Sequence, residues 1–305
     1  MEKFDLHILG CGSAKPTTKH HPASQVVDVR DKLFMIDCGE GTQVQFCKSH
    51  LKYSRLSRIF VSHLHGDHCY GLLGLISTLN LLGRVADLHL HGPVGFEKVF
   101  ADIIQFFNAE MSYKLVFHEF DSSEPEVIYE DRSVTVTTIP LRHRIPCCGF
   151  LFREKPTPNH IRRDMIDFYE IPISQINLIK NGADYVMPDG QVIPNGQLTT
   201  PSGKPRSYAY CSDTRYFPEV VDQIRQVNLL YHEATFLEED KVRAAKTFHS
   251  TAGQAAAIAR DAQVGQLVIG HYSSRYDNDN LLLDEAKQIF TNTIKAYENQ
   301  RIEIR

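Results

Sequence analysis

The feature that most constrains the fold is a stretch rich in metal-binding side chains, placed directly after an apolar run. The sequence His-Leu-His-Gly-Asp-His begins at His63 and follows residues 59–62, which are predicted to form a β-strand. Side chains two residues apart in extended chain point the same way. His63, His65 and Asp67 are therefore predicted to converge on one side, while His68 turns toward a neighbouring point.

The chemistry of these side chains favours a binuclear metal site. Imidazole and carboxylate groups are the ligands that Zn²⁺ and similar borderline metals prefer. Four of them within six residues are too many for one open tetrahedral site that must also recruit distant ligands. The stretch therefore predicts two metal ions a few ångströms apart. The alternative is a polar loop in solvent, which this density of ligand groups disfavours.

Three more candidate ligands each follow an apolar run. His143 comes after residues 134–141, Asp213 after residues 208–211, and His271 shortly after residues 266–269. Any one of them alone would be read as an ordinary loop residue. Their repeated position just past predicted strands, together with the histidine-rich stretch, makes them the candidates to complete the two metal sites.

The order of the predicted elements indicates an α/β fold. Strand patterns near residues 4–8, 26–29 and 33–36 are followed by strand patterns that interleave with apolar stretches at helical spacing, near 70–82 and 252–262. The 305 residues are 42% hydrophobic and contain 18 glycines, a composition typical of a globular protein rather than a disordered or fibrous one.

One segment breaks this pattern. Residues 156–205 hold seven of the fourteen prolines, together with Asn-Gly and Asp-Gly turn pairs. We predict an inserted arm with small strands near 185–186 and 191–193; the alternative is a long surface loop. Residues 153–184 carry five basic and five acidic side chains, so the arm is not a basic hook.

Charge and cysteine content limit the function and the compartment. The formal net charge is −4, whereas nucleic-acid-binding surfaces are usually basic, so any RNA contact must come from a local patch or from bound metal. Seven cysteines without a Cys-x-x-Cys pair favour a reducing, cytoplasmic environment over a disulfide framework. We expect no membrane partner, because the most apolar run, residues 71–83, is too short to span a bilayer.

These motifs resemble the metallo-β-lactamase superfamily and, more narrowly, its ribonuclease Z family of tRNA 3′-processing endonucleases. The resemblance covers residues 9–276. The segments that carry it are His-x-His-x-Asp-His at 63–68, Asp-Cys-Gly-Glu-Gly-Thr-Gln at 37–43, His-Glu-Ala-Thr at 232–235, His-Ser-Thr at 249–251, and Gly-His-Tyr-Ser-Ser-Arg-Tyr at 270–276.

The resemblance implies a fold and an assembly. The expected fold is a four-layer αβ/βα sandwich, the metallo-β-lactamase fold, formed by a single domain of residues 1–305 with a flexible exosite arm inserted at 153–205. The family would bind two zinc ions per subunit, with manganese as the other candidate, and no nucleotide cofactor. It would act as a cytoplasmic homodimer in which the arm grips precursor tRNA.

The resemblance also implies roles for individual residues. His63, His65 and His143 would hold one metal ion, Asp67, His68 and His271 would hold the other, and Asp213 would bridge them. Asp67 would serve as general base.

His249 would protonate the leaving ribose oxygen, oriented by Glu233. Its other interpretation is a polar loop residue ahead of a helix capped by Ser250 or Thr251. Arg275 and Thr251 are candidates for substrate binding, and the alternative for Arg275 is a surface salt bridge.

The predicted function is an endoribonuclease that removes the 3′ trailer of precursor tRNA by two-metal phosphodiester hydrolysis and leaves a 3′-hydroxyl. The alternative is a binuclear-metal hydrolase of small phosphodiesters or esters on the same fold. A third hypothesis, a non-catalytic RNA-binding protein on an inactive scaffold, would be marked by a missing ligand. All seven expected ligands are present in the sequence.

Overall fold

The computed structural model describes residues 2–107 and 110–305. The strands are β1 (Phe4–Gly10), β2 (Ser24–Val29), β3 (Lys32–Ile36), β4 (Leu56–Phe60), β5 (Leu88–Pro93), β6 (Leu115–Phe120), β7 (Val127–Glu130), β8 (Val134–Pro140), β9 (Cys148–Glu154), β10 (His160–Ile161), β11 (Tyr185–Val186), β12 (Val192–Ile193), β13 (Thr199–Thr200), β14 (Ser207–Cys211), β15 (Leu229–Glu233), β16 (Gln266–Gly270), β17 (Thr293–Lys295) and β18 (Arg301–Glu303).

The α-helices lie between these strands. They are α1 (Thr42–Lys48), α2 (Gly66–Cys69), α3 (Leu72–Leu81), α4 (Phe96–Phe107), α5 (Arg163–Phe168), α6 (Ile173–Lys180), α7 (Asn195–Leu198), α8 (Lys241–Thr247), α9 (Ala252–Asp261) and α10 (Asn280–Ile289). Short 3₁₀ turns occur at Tyr53–Arg55, Pro218–Asp222 and Glu238–Asp240.

Residues 2–153 and 206–305 form a body with two seven-stranded sheets. The first sheet has the order β18-β1-β2-β3-β4-β5-β6, and the second has the order β17-β16-β15-β14-β9-β8-β7. Strands β3 to β6 run parallel to one another, as do β14 to β17. The carboxyl ends of parallel strands lie at one edge of a sheet, where ligand-binding loops are usually found.

The core lies between the two sheets and beneath the helices. Phe34 and Phe60 of the first sheet pack on Phe150 and Phe152 of the second, with ring centroids 5.6–6.0 Å apart. A separate cluster joins the other face of the first sheet to α1, α3 and α4. Helices α9 and α10 pack on the second sheet. This arrangement confirms the predicted four-layer αβ/βα sandwich.

Residues 154–205 form a second compact unit with its own small core. Its two-stranded pairs are β10 with β13 and β11 with β12, the latter at the predicted positions. The side chain of Asn195 donates hydrogen bonds to the carbonyls of Ile179 and Ala183, which ties α6 to the start of α7. The buried apolar residues of this unit are Ile171, Ile179, Tyr185, Ile193 and Leu198.

Two predicted boundaries differ in the structure. The strand predicted at 59–62 spans Leu56–Phe60, and the helix predicted at 70–82 is α3, which spans Leu72–Leu81 and is preceded by the separate short helix α2. Gly71 separates the two helices, and a side chain there would collide with the backbone oxygen of Gly39 at 2.0 Å. The break therefore lets the chain pass close to the loop after β3.

Among the described residues, no helix is both long and apolar enough to cross a membrane.

Candidate metal centre

The side chains predicted as ligands come together at one edge of the two sheets. His63 and His65 follow β4, and His143 follows β8. Asp213 follows β14 and His271 follows β16. Each strand is therefore followed by one candidate ligand, or by a short loop that contains several, at the edge where the carboxyl ends of the parallel strands lie.

The first group consists of His63, His65, His143 and one oxygen of Asp213. Nδ1 of His65 lies 3.1 Å from Nε2 of His63 and 3.1 Å from Nε2 of His143. Oδ2 of Asp213 lies 3.7 and 3.8 Å from the same two Nε2 atoms.

The second group consists of Asp67, His68, His271 and the other oxygen of Asp213. Oδ1 of Asp213 lies 3.4 Å from Nε2 of His68 and 3.1 Å from Nε2 of His271. Oδ2 of Asp67 lies 3.7 Å from each of these nitrogens. The two oxygens of Asp213 thus face different groups, as a bridging carboxylate requires.

The residues present fit two metal ions. Nε2 of His68, Nε2 of His271 and Oδ1 of Asp213 are buried and have no hydrogen-bond partner among the described residues. Leaving such atoms unpaired costs about 1–3 kcal/mol each, so the arrangement is suited to a group that would satisfy them. Atoms about 2.0–2.2 Å from one tetrahedral ion lie roughly 3.3–3.6 Å apart, close to the separations seen here.

The protonation states of the candidate ligands also favour metal binding. Burial, the largest effect, lowers the pKa of His63 well below its ordinary value and also lowers the pKa of His143, so both imidazoles are neutral and keep a free lone pair. Burial alone would raise the pKa of Asp213, but the charges of His271 and His68 outweigh it and hold the pKa well below the usual range. Asp213 is therefore an ionised carboxylate.

Further hydrogen bonds orient the ligands from behind. Nδ1 of His143 donates to the carbonyl of Phe248 at 3.0 Å, so Nε2 faces the first group. Nδ1 of His68 lies 2.7 Å from Oδ2 of Asp37. Such partners fix the ring orientation of a metal-binding histidine and usually change metal affinity by about 10–100-fold when they are lost.

Asp37 is the main residue for which the sequence suggested no role. It is fully buried and also accepts hydrogen bonds from Ser62 and Tyr210. Asp37 and His271 both adopt left-handed backbone, with φ of 54° and 62°, a conformation that is uncommon for non-glycine residues, although Asp and His enter it more readily than most, and that is often found at functional sites. In the sequence, the motif at 37–43, which begins at Asp37, is the feature that could have indicated a role for this residue.

A series of hydrogen bonds connects His271 to His249. Nδ1 of His271 donates to the hydroxyl of Thr235, which donates to Oε2 of Glu233. The other oxygen of Glu233 lies 2.9 Å from Nδ1 of His249. Burial alone would lower the pKa of His249, but the charge and hydrogen bond of Glu233 outweigh burial and raise it to about 9. His249 thus carries a proton at neutral pH.

These side chains line an open cleft of about 460 Å³. Its lining residues are Ala14, Glu40, His65, Gly66, Asp67, Tyr70, His143, Arg144, Asp213, Thr247, His249 and His271. A larger cavity of about 700 Å³ lies beside α9 and α10, outside both groups of ligands.

Spacing in extended chain and the family resemblance predicted different positions for Asp67, and the structure agrees with the resemblance. The chain turns into helix α2 at Gly66, so Asp67 lies with His68 in the second group and does not point with His63 and His65. Thr251 is fully buried and caps α9 by accepting a hydrogen bond from the Gln254 backbone, in place of the predicted substrate contact.

Arg275, the other residue predicted to bind substrate, lies outside the residues that line the cleft. Its guanidinium group is 3.9 Å from a carboxylate oxygen of Asp240, and its side chain is 39% exposed. This position corresponds to the surface salt bridge weighed as the alternative, and a pair so exposed contributes at most about 1 kcal/mol.

Comparison with known proteins supports one family. Family models match two parts of the chain: that of the anti-Pycsar protein Apyc1 at residues 4–91 and that of the beta-lactamase superfamily domain at residues 198–272. Ribonuclease Z of Bacteroides thetaiotaomicron is 63% identical over 304 residues, which cover 100% of this chain and 96% of the relative. Ribonuclease Z of Porphyromonas gingivalis is 55% identical and is covered in full.

Solved structures share the fold. Human tRNase Z, short form, matches with a TM-score of 0.72 at 24% identity, covering 99% of each chain. The metallo-beta-lactamase fold protein YhfI from Bacillus subtilis matches with a TM-score of 0.68 at 17% identity, covering 99% of this chain and 100% of its own. At these identities the likeness shows the metallo-β-lactamase fold alone.

Proposed function

This chain belongs to the ribonuclease Z family, and from that premise we propose that its seven-ligand centre removes the 3′ trailer of precursor tRNA. The relatives confirm the family and the metal-dependent endoribonuclease activity predicted from the motifs. The observation that carries the proposal at the level of chemistry is that seven candidate ligand side chains form two groups and that the carboxylate of Asp213 faces both.

The centre takes a divalent metal. We propose two zinc ions per subunit, with manganese as the alternative, because nitrogen and oxygen ligands of this kind accept either ion. His63, His65 and His143 would hold one ion, Asp67, His68 and His271 the other, and Asp213 both. Bound ions of this type lower the pKa of a coordinated water and neutralise charge on a phosphodiester.

The chain's own side chains would move the two protons of the reaction. Asp67 lies at the cleft and would accept the proton of the attacking water. As the bond between phosphorus and the ribose 3′-oxygen breaks, His249 would donate its proton to that oxygen and leave a 3′-hydroxyl on the tRNA. The phosphate stays on the trailer. Glu233 holds His249 in its protonated form by the 2.9 Å contact to Nδ1.

Replacing His249 by Gln tests the acid. Cleavage of precursor tRNA should slow by about 10²–10⁴-fold, because a poor leaving group then departs without a proton. Wild-type cleavage should also decline as the pH rises through the pKa of His249, since only the protonated form acts, and this decline should be absent from the variant. Rates are measured from pH 6 to 10.

Two comparisons make that experiment specific. Hydrolysis of bis(p-nitrophenyl) phosphate, whose leaving group needs no acid, should slow far less than RNA cleavage. His50→Asn, a change at an exposed histidine, should match the wild type. Equal slowing of both substrates would assign His249 a structural role instead.

We also propose how the substrate is held and where the reaction takes place. The unit formed by residues 154–205 would bind the tRNA at a distance from the cut, as the family resemblance implies. The described cysteines are all free, which suits a reducing cytoplasm, where precursor tRNA is processed in bacteria. The substrate chemistry requires no nucleotide cofactor.

We propose a homodimer from the same resemblance and from an exposed apolar surface at the ends of α3 and α4. Asn80 of α3 donates to the carbonyl of Glu110 and accepts from the N–H of Ser112, so the end of α3 contacts residues 110–112, which follow α4 in the chain. Five apolar side chains there are 60–88% exposed: Leu81, Leu82, Val85, Phe106 and Phe107. Exposed apolar patches often mark protein interfaces. Sedimentation velocity should show a dimer that Leu81→Glu dissociates; a monomeric wild type would contradict the assembly.

A further inference from the structure

We propose that the backbone N–H of Ala14, presented by a loop that the buried His20 holds together, decides which oxygen of Asp67 faces the metal. The inference rests on the proposed function, because it assigns the two oxygens of Asp67 to different tasks. Ala14 and His20 would then be positioning residues for the reaction, and neither belongs to the seven ligands.

The contact to Asp67 involves one oxygen only. The N–H of Ala14 donates to Oδ2 of Asp67 at 2.7 Å. The same Oδ2 lies 3.7 Å from Nε2 of His68 and of His271, in the position of a metal ligand. Oδ1 of Asp67 takes no hydrogen bond from the described part of the chain. The N–H therefore fixes the rotation of the carboxylate, with Oδ2 toward the second group and Oδ1 free for the proton of the water.

The loop that presents this N–H has an unusual backbone. Ala14 adopts φ of 60°, in the left-handed region that alanine rarely enters. Gly12 and Ser13 are held by hydrogen bonds from their N–H groups to the carbonyls of His21 and Tyr272, at 2.8 and 3.1 Å. The N–H of Ala14 is thereby aimed away from its own loop and toward Asp67. Such a conformation persists only where the surroundings enforce it.

His20 supplies that enforcement from the interior. Its Nε2 lies 3.1 Å from Oδ2 of Asp279, and its Nδ1 lies 3.1 Å from Oε2 of Glu298. Its carbonyl accepts from the N–H of Thr17, and the next N–H, that of His21, donates to Glu298. The ring is almost fully buried. One side chain thus links the loop to the start of α10 and to the segment after β17.

The network is best described as an imidazolium between two carboxylates. Both ring nitrogens face carboxylate oxygens, so both can donate. Burial would lower the pKa of His20, but the hydrogen bonds of Asp279 and Glu298 raise it to about 9. Sγ of Cys11 lies 3.4 Å from Nδ1, so Cys11, His20 and Glu298 are close enough to be read as a third metal site. Because both nitrogens of the imidazolium donate to carboxylates, neither offers a lone pair to a metal ion, which opposes that interpretation.

His20→Gln tests the inference, with His21→Gln as the matched control in the same loop. We measure zinc release to a chromogenic chelator and, separately, kcat and KM for bis(p-nitrophenyl) phosphate. In His20→Gln, one of two zinc equivalents should leave about 10–100-fold faster, and kcat should fall about 10-fold or more with KM little changed. His21→Gln should behave as the wild type.

A second variant removes the donor together with the backbone that presents it. Proline lacks the N–H and is restricted to φ of about −65°, whereas Ala14 adopts φ of 60°, so Ala14→Pro should reproduce His20→Gln. Circular dichroism establishes that each variant is folded.

Zinc release and kcat that are unchanged in folded His20→Gln would overturn the inference. So would a wild type with three zinc equivalents, one of them lost in this variant, since His20 would then be a ligand. A wild type that neither binds zinc nor hydrolyses the ester would instead defeat the proposed function.

Discussion

Replacing Asp67 by Asn should abolish cleavage of precursor tRNA, with a loss of at least about 10³-fold in kcat. Asn has nearly the same shape but cannot accept the proton of the water, and general-base catalysis alone is worth about 10²–10⁴-fold. The change also weakens the second group, because Oδ2 of Asp67 stands 3.7 Å from Nε2 of both His68 and His271. Cleavage is measured with excess enzyme on labelled precursor, together with the zinc content.

The matched control is Asp261→Asn. Asp261 is exposed and pairs with the neighbouring Arg260, so its loss should leave cleavage unchanged. Because hydrolysis of a small phosphodiester uses the same centre, it should fall in parallel with RNA cleavage in Asp67→Asn. A variant that keeps more than about a tenth of wild-type kcat would remove Asp67 from the role of general base.

Deleting the arm should slow the cleavage of precursor tRNA while leaving the hydrolysis of a small phosphodiester almost unchanged. Arg153 of β9 pairs directly with Ser207 of β14, so the two ends of the insertion lie side by side in an antiparallel pair. A short Gly-Ser linker in place of residues 156–204 can therefore close the gap without disturbing the sheet. We expect kcat/KM for precursor tRNA to fall about 10²-fold or more. Binding of the tRNA by the arm would raise the effective concentration of the cleavage site at the metal centre, and the deletion removes this contribution.

The small substrate serves as the internal control for this deletion. Hydrolysis of bis(p-nitrophenyl) phosphate should stay within about twofold of the wild type, because none of the seven ligands belongs to the arm. Undiminished cleavage of precursor tRNA would show that the arm does not hold the substrate, and would favour the small-phosphodiester alternative. Loss of both activities would show that the arm supports the fold of the body.

The layered fold could be predicted from the sequence because its signals are local. Alternating strands and helices predict an α/β protein, and short apolar runs followed by His143, Asp213 and His271 mark strand ends. Parallel strands bring their carboxyl ends to one edge, so ligands far apart in sequence meet there. The motifs at 37–43 and 270–276 then narrowed the superfamily to ribonuclease Z, which the relatives confirm.

What could not be predicted depends on local geometry and on burial. The turn into α2 at Gly66 reverses the side on which Asp67 lies, and spacing in extended chain cannot reveal it. The role of Asp37 depends on complete burial beside His68. Thr251 offered a hydroxyl that sequence alone cannot assign to substrate or to a helix cap, and the structure commits it to the cap.

Mapping the product ends of a precursor tRNA tests the central claim most directly. The full-length chain, loaded with zinc, is incubated with a precursor that carries a defined 3′ trailer, next to chelator-treated protein and Asp67→Asn. We predict one cut just after the acceptor stem, a 3′-hydroxyl on the tRNA and a 5′-phosphate on the trailer, with neither control active. An intact precursor, alongside metal-dependent hydrolysis of a small phosphodiester by the same preparation, would contradict the assignment to tRNA.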